Sequence, residues 1–370
     1  MKFIVSSLAL LKQLQQIAGV INSNSVLPIL DDFLFDIQPN KLSVVATDLE
    51  TVMKVSLSIE ASEKGKVCIP AKILMESLKN IADQPLTFNV DSSFAIEITS
   101  ESGKYKIMGE NPDNFPKAPQ AEDANSFVMT SGALVNAINK TLFAISTDDT
   151  RPAMAGVYFE LEKTSISFVA TDAHRLVRFT LSGINSPKKD SFIVPKKPLS
   201  LLKSALPENE DEIELSFNDK HLFVTHGSTE LICRLVDARF PDYKVVIPAD
   251  NPYTLTVRRT DFQNALKRVN VFSNKSSNQI VLNIIGNELQ LSAQDMDYNF
   301  EGNERMDCQF DGGDLQIAFN GKFLIEMLNS AETDEIKIAL STPSKAGIIK
   351  PAEQNEDEDL LMLVMPLMVK

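Results

Sequence analysis

A repeat with a period of one third of the chain constrains this sequence more than any local motif does. The segment KLSVVATD, ending at Asp48, returns as TSISFVATD ending at Asp172, 124 residues on, and more weakly as NELQLSAQD ending at Asp295. Phe115-Pro116, Phe240-Pro241 and Met365-Pro366 stand 125 residues apart. So do Pro70, Pro195 and Asn320, each closing a β-rich run and opening an apolar periodic segment. Three such units account for the 370 residues. That length exceeds what one hydrophobic core usually serves, so a repeated domain is the simplest organisation.

Each third has the same order of elements. An opening strand (FIV at 3, FVM at 127, LTV at 255) passes into an amphipathic helix, expected over 8–21, 132–146 and 260–272. Alternating strands follow, then a second helix over 71–82, 196–206 and 321–331, then more strands. Stretches 117–126 and 247–253 carry Pro, Asn and Asp without periodicity and read as linkers. The expected fold class is α+β: three similar domains, each with two helices and antiparallel sheets, over 1–120, 127–247 and 251–370.

With 44% hydrophobic and 23% charged residues the chain has globular proportions. Its net charge of −14 excludes a protein that coats nucleic acid with its whole surface, but not one with a localised basic face. The six helix windows contain ten basic residues, Lys12, Lys72, Lys79, Lys140, Lys196, Lys197, Lys203, Lys267, Arg268 and Lys322, against the acidic Glu76, Asp261 and Glu326, a balance of +7. Lysine is a good helix former on any solvated face, which is the plain reading. Glutamate is as good, however, and its scarcity points to a phosphate-facing surface. No cluster of Arg, Asn and Gln for base edges stands out and Trp is absent, so such a surface would hold a phosphate backbone without reading sequence.

Cys68, Cys233 and Cys308 are odd in number and far apart, which builds neither a disulfide framework nor a CxxC metal knuckle and fits a reducing, cytoplasmic setting. The apolar N-terminal stretch is interrupted by Lys12, Gln13, Gln15 and Gln16, so it is not read as a secretory leader. No uncharged apolar run reaches the roughly 18 residues of a membrane span. Asp172, His174 and Arg175 together raise the alternative of a metal-dependent nuclease or phosphoesterase. A second carboxylate or His at ligand spacing is missing; His221 and His226 belong to another strand pair, and no nucleophile elbow or P-loop occurs. No catalytic residue, metal or cofactor is therefore expected, and His174 and Arg175 read better as polar rims of a groove. The tail LLMLVMPLMVK reads as a terminal strand whose methionines also suit adaptable peptide contacts.

The runs ATDAHRL (170–176), LVDARFPDY (235–243) and VMPLMVK (364–370), with the opening MKF and LPIL (27–30), resemble the beta subunits of bacterial DNA polymerase III, the sliding clamps, along the whole chain. The resemblance implies a processivity factor without an active site. It implies a head-to-tail homodimer closing into a six-domain ring, with helices lining the pore around DNA and sheets forming the outer wall. It also implies a pocket for short peptides of the DNA polymerase III alpha subunit, the clamp loader, other polymerases and repair proteins. Residues matching that pocket are Met154, Thr171, His174, Arg175, Leu176, Pro241, Val246, Asn320, Phe323, Val364, Met365, Pro366 and Leu367. Departures from the family pattern are Ala173 for its usual Gly, Val245 for its usual basic residue, and a tail extended through Lys370. Dimer contacts carried over by position are Tyr105 and Ile107 on one side and Val271 and Phe272 on the other, all of which could equally be core.

Overall fold

The computed structural model describes residues 1–22 and 27–369; Lys370, the end of the extended tail, lies outside them. The six expected helices form as α1 (Ser7–Ile17), α2 (Ala71–Lys79), α3 (Ser131–Thr141), α4 (Lys196–Ala205), α5 (Arg259–Asn270) and α6 (Gly321–Ser330). Opening strands Lys2–Ser6, Asn125–Thr130 and Tyr253–Arg258 lead directly into α1, α3 and α5, so the last residues of both expected linkers are already strand.

In α1, Leu10, Leu14 and Ile17 recur every three or four residues and are buried, each worth about 2 kcal/mol of transfer free energy. Ser6 caps the helix by accepting the Ala9 N–H at 3.2 Å. Two of the three first helices, α1 and α3, end earlier than their periodicity suggests, tightening into 3₁₀ turns at Ala18–Val20 and Leu142–Ala144. The second helices start at residues 71, 196 and 321, in step with the repeat. Pro precedes two of them; the third is capped by Asn320, whose side chain accepts the N–H groups of Lys322 (3.0 Å) and Phe323 (3.3 Å).

Sheets run from one third into the next. An eight-stranded sheet joins Thr229–Arg234 to Thr51–Ser58, with Thr229 opposite Val55 and Cys233 opposite Thr51. A nine-stranded sheet joins Arg175–Ser182 to Glu358–Val364, with Arg175 opposite Val364 and Leu181 opposite Glu358. Five- and four-stranded sheets belong to the first and last thirds respectively. The middle third thus gives one sheet to each neighbour, and the chain packs as two compact units, 1–135 with 197–235 and 136–196 with 236–370. The first unit is cored by Phe3, stacked on Phe88 at 4.7 Å, and Phe35; the second by apolar clusters around the nine-stranded sheet.

The repeated ATD motif is turn chemistry. After Lys41–Thr47, Asp48 Oδ1 accepts the N–H groups of Glu50 (3.1 Å) and Thr51 (2.7 Å), and Thr47 Oγ1 accepts that of Leu49 (3.0 Å). After Ser165–Thr171, Asp172 Oδ1 binds the N–H groups of His174 and Arg175 (both 3.0 Å), and Thr171 Oγ1 that of Ala173 (3.1 Å). Leu49 and Ala173 occupy the same left-handed conformation, with φ of 79° and 75°. Glycine would adopt this conformation without strain, whereas a Cβ there costs roughly 1–2 kcal/mol.

Candidate functional site

In the second unit the turn at Asp172 carries the residues matched to a peptide pocket, and Arg175 organises them. Buried to 7% exposure, Arg175 gives Nε to Asp172 (2.9 Å), Nη2 to the Phe143 carbonyl (2.6 Å) and Nη1 to Glu326 on α6. Its guanidinium lies 4.3 Å from the Phe323 ring centre and 5.3 Å from that of Phe143. The expectation of Arg175 as a polar rim is therefore corrected: it is buried, and Nε, Nη1 and Nη2 each bond within the chain while its plane stacks on two rings. His174 remains exposed, and its carbonyl accepts the Met365 N–H at 2.9 Å.

That bond starts the tail's departure from the sheet. Strand Glu358–Val364 ends with Val364 fully buried; Met365 is 42% exposed, Pro366 and Leu367 are half-buried, and Met368 is 81% exposed. Leu367 N–H then binds the Ala318 carbonyl at 2.7 Å, so the tail is pinned at two points and leaves Met365 and Met368 outward, while Met362 is fully buried in the strand before them. Beneath lies an apolar cluster of Leu176, Leu363, Ile348, Phe240 and Tyr243, with Ala153 packed against it beside Met154. The FPDY run serves this cluster: Tyr158 stacks on Phe240 at 4.5 Å, and Tyr243 Oη donates to Glu160 at 2.6 Å. Burial, then the bond to Glu160, pushes the Tyr243 hydroxyl above its usual pKa. Pro241 and Val246, at 51%, stand exposed around it, as does Val245 at 75%. The matched residues thus share one unit: the Asp172 turn, the tail, the start of α6 and the FPDY loop. Phe143, Tyr158 and Glu326 complete the site without having been legible; Glu326 lies 151 residues from the arginine it holds.

Ten helix cations were read as facing DNA, and the structure divides them. Lys12, Lys72, Lys79, Lys203, Lys267 and Lys322 are exposed and form no ion pair among the described residues; Lys196 is also exposed. Lys197 is corrected: its Nζ binds the Val20 carbonyl (2.6 Å), Asn22 Oδ1 (2.7 Å) and Asp48 Oδ2 (2.6 Å). Lys140 is corrected as well, being buried 5.4 Å over the Phe179 ring and 3.7 Å from Glu332, in a cleft of about 1020 Å³. Arg268 is tied by two 2.6 Å bonds to Glu304, whose carboxyl it holds below the usual range. In each case a carboxylate or carbonyl from another element takes the charge that a helix window assigns to solvent.

Of the residues matched to a dimer interface, Tyr105 (40% exposed), Val271 (62%) and Phe272 (40%) are surface apolar groups and Ile107 is half-buried, so none belongs to the core. Tyr105 and Ile107 lie on Lys104–Met108, the edge strand of the five-stranded sheet, opposite buried Ile98 and Ile96. Phe272, just past α5, packs against Gly302 of Phe300–Asp307, the edge strand of the four-stranded sheet; a Cβ on Gly302 would approach its ring to 2.7 Å. As for the nuclease alternative, both Asp172 oxygens serve the turn and Arg175, and the Cys68 and Cys233 thiols are pushed up to about 12 by burial.

Threefold repetition of strand and helix with continuous sheets, basic helices and free edge strands defines the architecture of a DNA clamp. Family models for the DNA polymerase III beta subunit match its N-terminal domain over residues 1–119, its central domain over 129–242 and its C-terminal domain over 244–368. The beta sliding clamp of Vibrio cholerae is 27% identical over 369 residues, covering 99% of this chain and all of its own. A DnaN sliding clamp from Pseudomonas aeruginosa, solved bound to griselimycin, superposes with a TM-score of 0.94 at 27% identity, and the Thermotoga maritima beta subunit with 0.91 at 28%, each over the whole of both chains. The chain belongs to the DNA polymerase III beta subunit family. Its function is that of a DNA sliding clamp in replication, a processivity factor and not an enzyme, with DNA and polymerase as partners.

Proposed function

We propose that two copies of this chain close head to tail into a ring around duplex DNA, and that the groove at Arg175 and the tail tethers short peptides of the polymerase alpha subunit, the clamp loader, other polymerases and repair proteins. The three domains of each protomer are taken as 1–120, 127–247 and 251–370. A cytoplasmic location goes with the replication role; among the described residues no helix is long and apolar enough to cross a membrane.

The observation that carries this reading is two edge strands of unlike chemistry, one on the five-stranded and one on the four-stranded sheet. Lys104–Met108 shows Lys104, already bonded to Glu97 at 3.1 Å, and Lys106 on one face and Tyr105 and Ile107 on the other; Phe300–Asp307 shows Glu301, Asn303, Arg305 and Asp307 on its exposed face and Gly302, under Phe272, on the other. Pairing the edges sets lysines against acids and the Tyr105 face against Val271 and Phe272. Because the patches differ, the contact is heterologous, and it closes into a ring only where the rotation per protomer fits. The exposed helix lysines would then give weak, sliding phosphate contacts, and retention would be topological.

Sedimentation tests the pairing. Lys106→Glu and Glu301→Lys should each drive the protein toward monomer, and both together in one chain should restore the dimer. A double variant as dissociated as the two singles would remove this edge pairing.

A further inference from the structure

The apolar floor of the groove continues, one row along the nine-stranded sheet, into a band of cations. Leu176, Leu363, Ile348 and Ala339 face one another across four strands, Leu176 opposite Leu363 and Ile348 opposite both Leu363 and Ala339. All four belong to the cluster beneath the tail or pack against it. Side chains alternate along a strand, so the residues two positions on lie on the same face. There stand Arg178, Leu361, Lys350 and Lys337, with Arg178 opposite Leu361 and Lys350 opposite Lys337. Like charges directly opposite one another on a sheet are destabilising.

Acids on this face are too few to balance the band. Asp359 alone serves two of its members, accepting from Arg178 Nη2 and, at 3.1 Å, from Lys350 Nζ. Arg178 Nε is buried without a hydrogen bond, so one carboxylate leaves the guanidinium incompletely satisfied. Lys337 is exposed and has no ion pair among the described residues. Glu335, two positions beyond it, is exposed on the same face. Glu160, on the far side of the sheet, is already spent on Tyr243 at 2.6 Å and Lys244 at 2.7 Å. Arg178, Lys350 and Lys337 thus outnumber Asp359 and Glu335. The side chains of Arg178 and Lys350 are 24% and 40% exposed, so their charge is only partly screened by water.

We infer that this row is a subsite for an acidic side chain of the client peptide, whose carboxylate sits against Arg178 and Lys350 while a neighbouring apolar anchor covers Leu176 and Leu363. The two rows lie about 6.6 Å apart and an extended peptide advances about 3.3 Å per residue, so the acid falls about two residues from the anchor. A neutral or basic residue there leaves the band unbalanced, and the groove then selects its peptides by charge as well as by shape. The inference rests on the peptide-groove reading and adds to it a preference in sequence.

The test is titration of a labelled polymerase-tail peptide in matched forms, with Asp or Asn placed in turn one, two and three positions to either side of its apolar anchor. At low salt the wild-type protein should bind one Asp form about fivefold more tightly than its Asn twin, or about 1 kcal/mol, and high salt should shrink the difference. The best position should lie about two residues from the anchor. Arg178→Met and Lys350→Met should each bring the two forms to within about twofold and leave the affinity of the Asn form unchanged. Equal binding of Asp and Asn forms by wild type at every position, or a preference that survives both substitutions, would overturn the subsite. Thermal melts accompany each variant. Should Arg178→Met melt early, Lys350→Arg against Lys350→Met decides alone: Arg must keep the preference that Met loses. Wild-type protein that binds no form of the peptide would bring down the groove reading itself, a result distinct from failure of the subsite.

Discussion

Replacing Lys197 by Met distinguishes a structural cation from a DNA contact. The substitution keeps the length of the stem but removes three donors at 2.6, 2.7 and 2.6 Å and leaves Asp48, 9% exposed, without its counter-charge. Charge-assisted bonds contribute about 1.5–3 kcal/mol apiece and do not add, because they share one ammonium group; the Lys197 side chain is also 34% exposed and partly screened. A loss of about 3 kcal/mol is expected for the set. Since a multidomain chain need not unfold in one step, native-state hydrogen exchange over the Asp48 turn and strand Thr51–Ser58 is the suitable assay, and protection there should fall by about a hundredfold. Unchanged protection with impaired retention on DNA would refute the reasoning and return Lys197 to the pore surface.

Deleting Met365–Lys370 removes two backbone bonds at about 1 kcal/mol each while strand Glu358–Val364 keeps its ladder, so the protein should fold, slide on DNA and bind a polymerase-tail peptide at least tenfold more weakly by titration. Phe272→Ala should cost the dimer about 2 kcal/mol by sedimentation with little change in melting, because the ring is surface and not core. Asp32 supplies a pH signature. Burial, then Glu110 and Asp31, raises its carboxyl to about 7, and its Oδ2 is unpartnered. Between about pH 4 and 7 the folded chain keeps a proton that the unfolded chain has released, so stability falls as pH rises through that window, by about 4 kcal/mol in all. Asp32→Asn should flatten the slope in urea melts and be more stable than wild type at pH 8.

Periodicity carried the fold far. The 125-residue step placed the start of every second helix, and ATD marked the hairpin turns because Asp and Thr side chains satisfy turn N–H groups locally. What the sequence could not show was where charges point. Lys196 and Lys197 are neighbours in one window, yet Lys197 is captured by an aspartate 149 residues away, and Lys140 by a carboxylate and an aromatic face of other elements. Arg175 was legible as a groove residue but not as its keystone, since Glu326 and Phe143 come from distant segments. The exchange of sheets between thirds was likewise hidden, because an edge strand has the same alternation whichever strand it pairs with.

Retention on a nicked circle tests the central claim most directly. Protein loaded onto circular duplex DNA should stay associated through a salt wash that strips weak phosphate contacts, and should be lost when the circle is cut once. Protein that dissociates equally from circle and linear DNA, or that stays on both, is bound by affinity and contradicts encirclement.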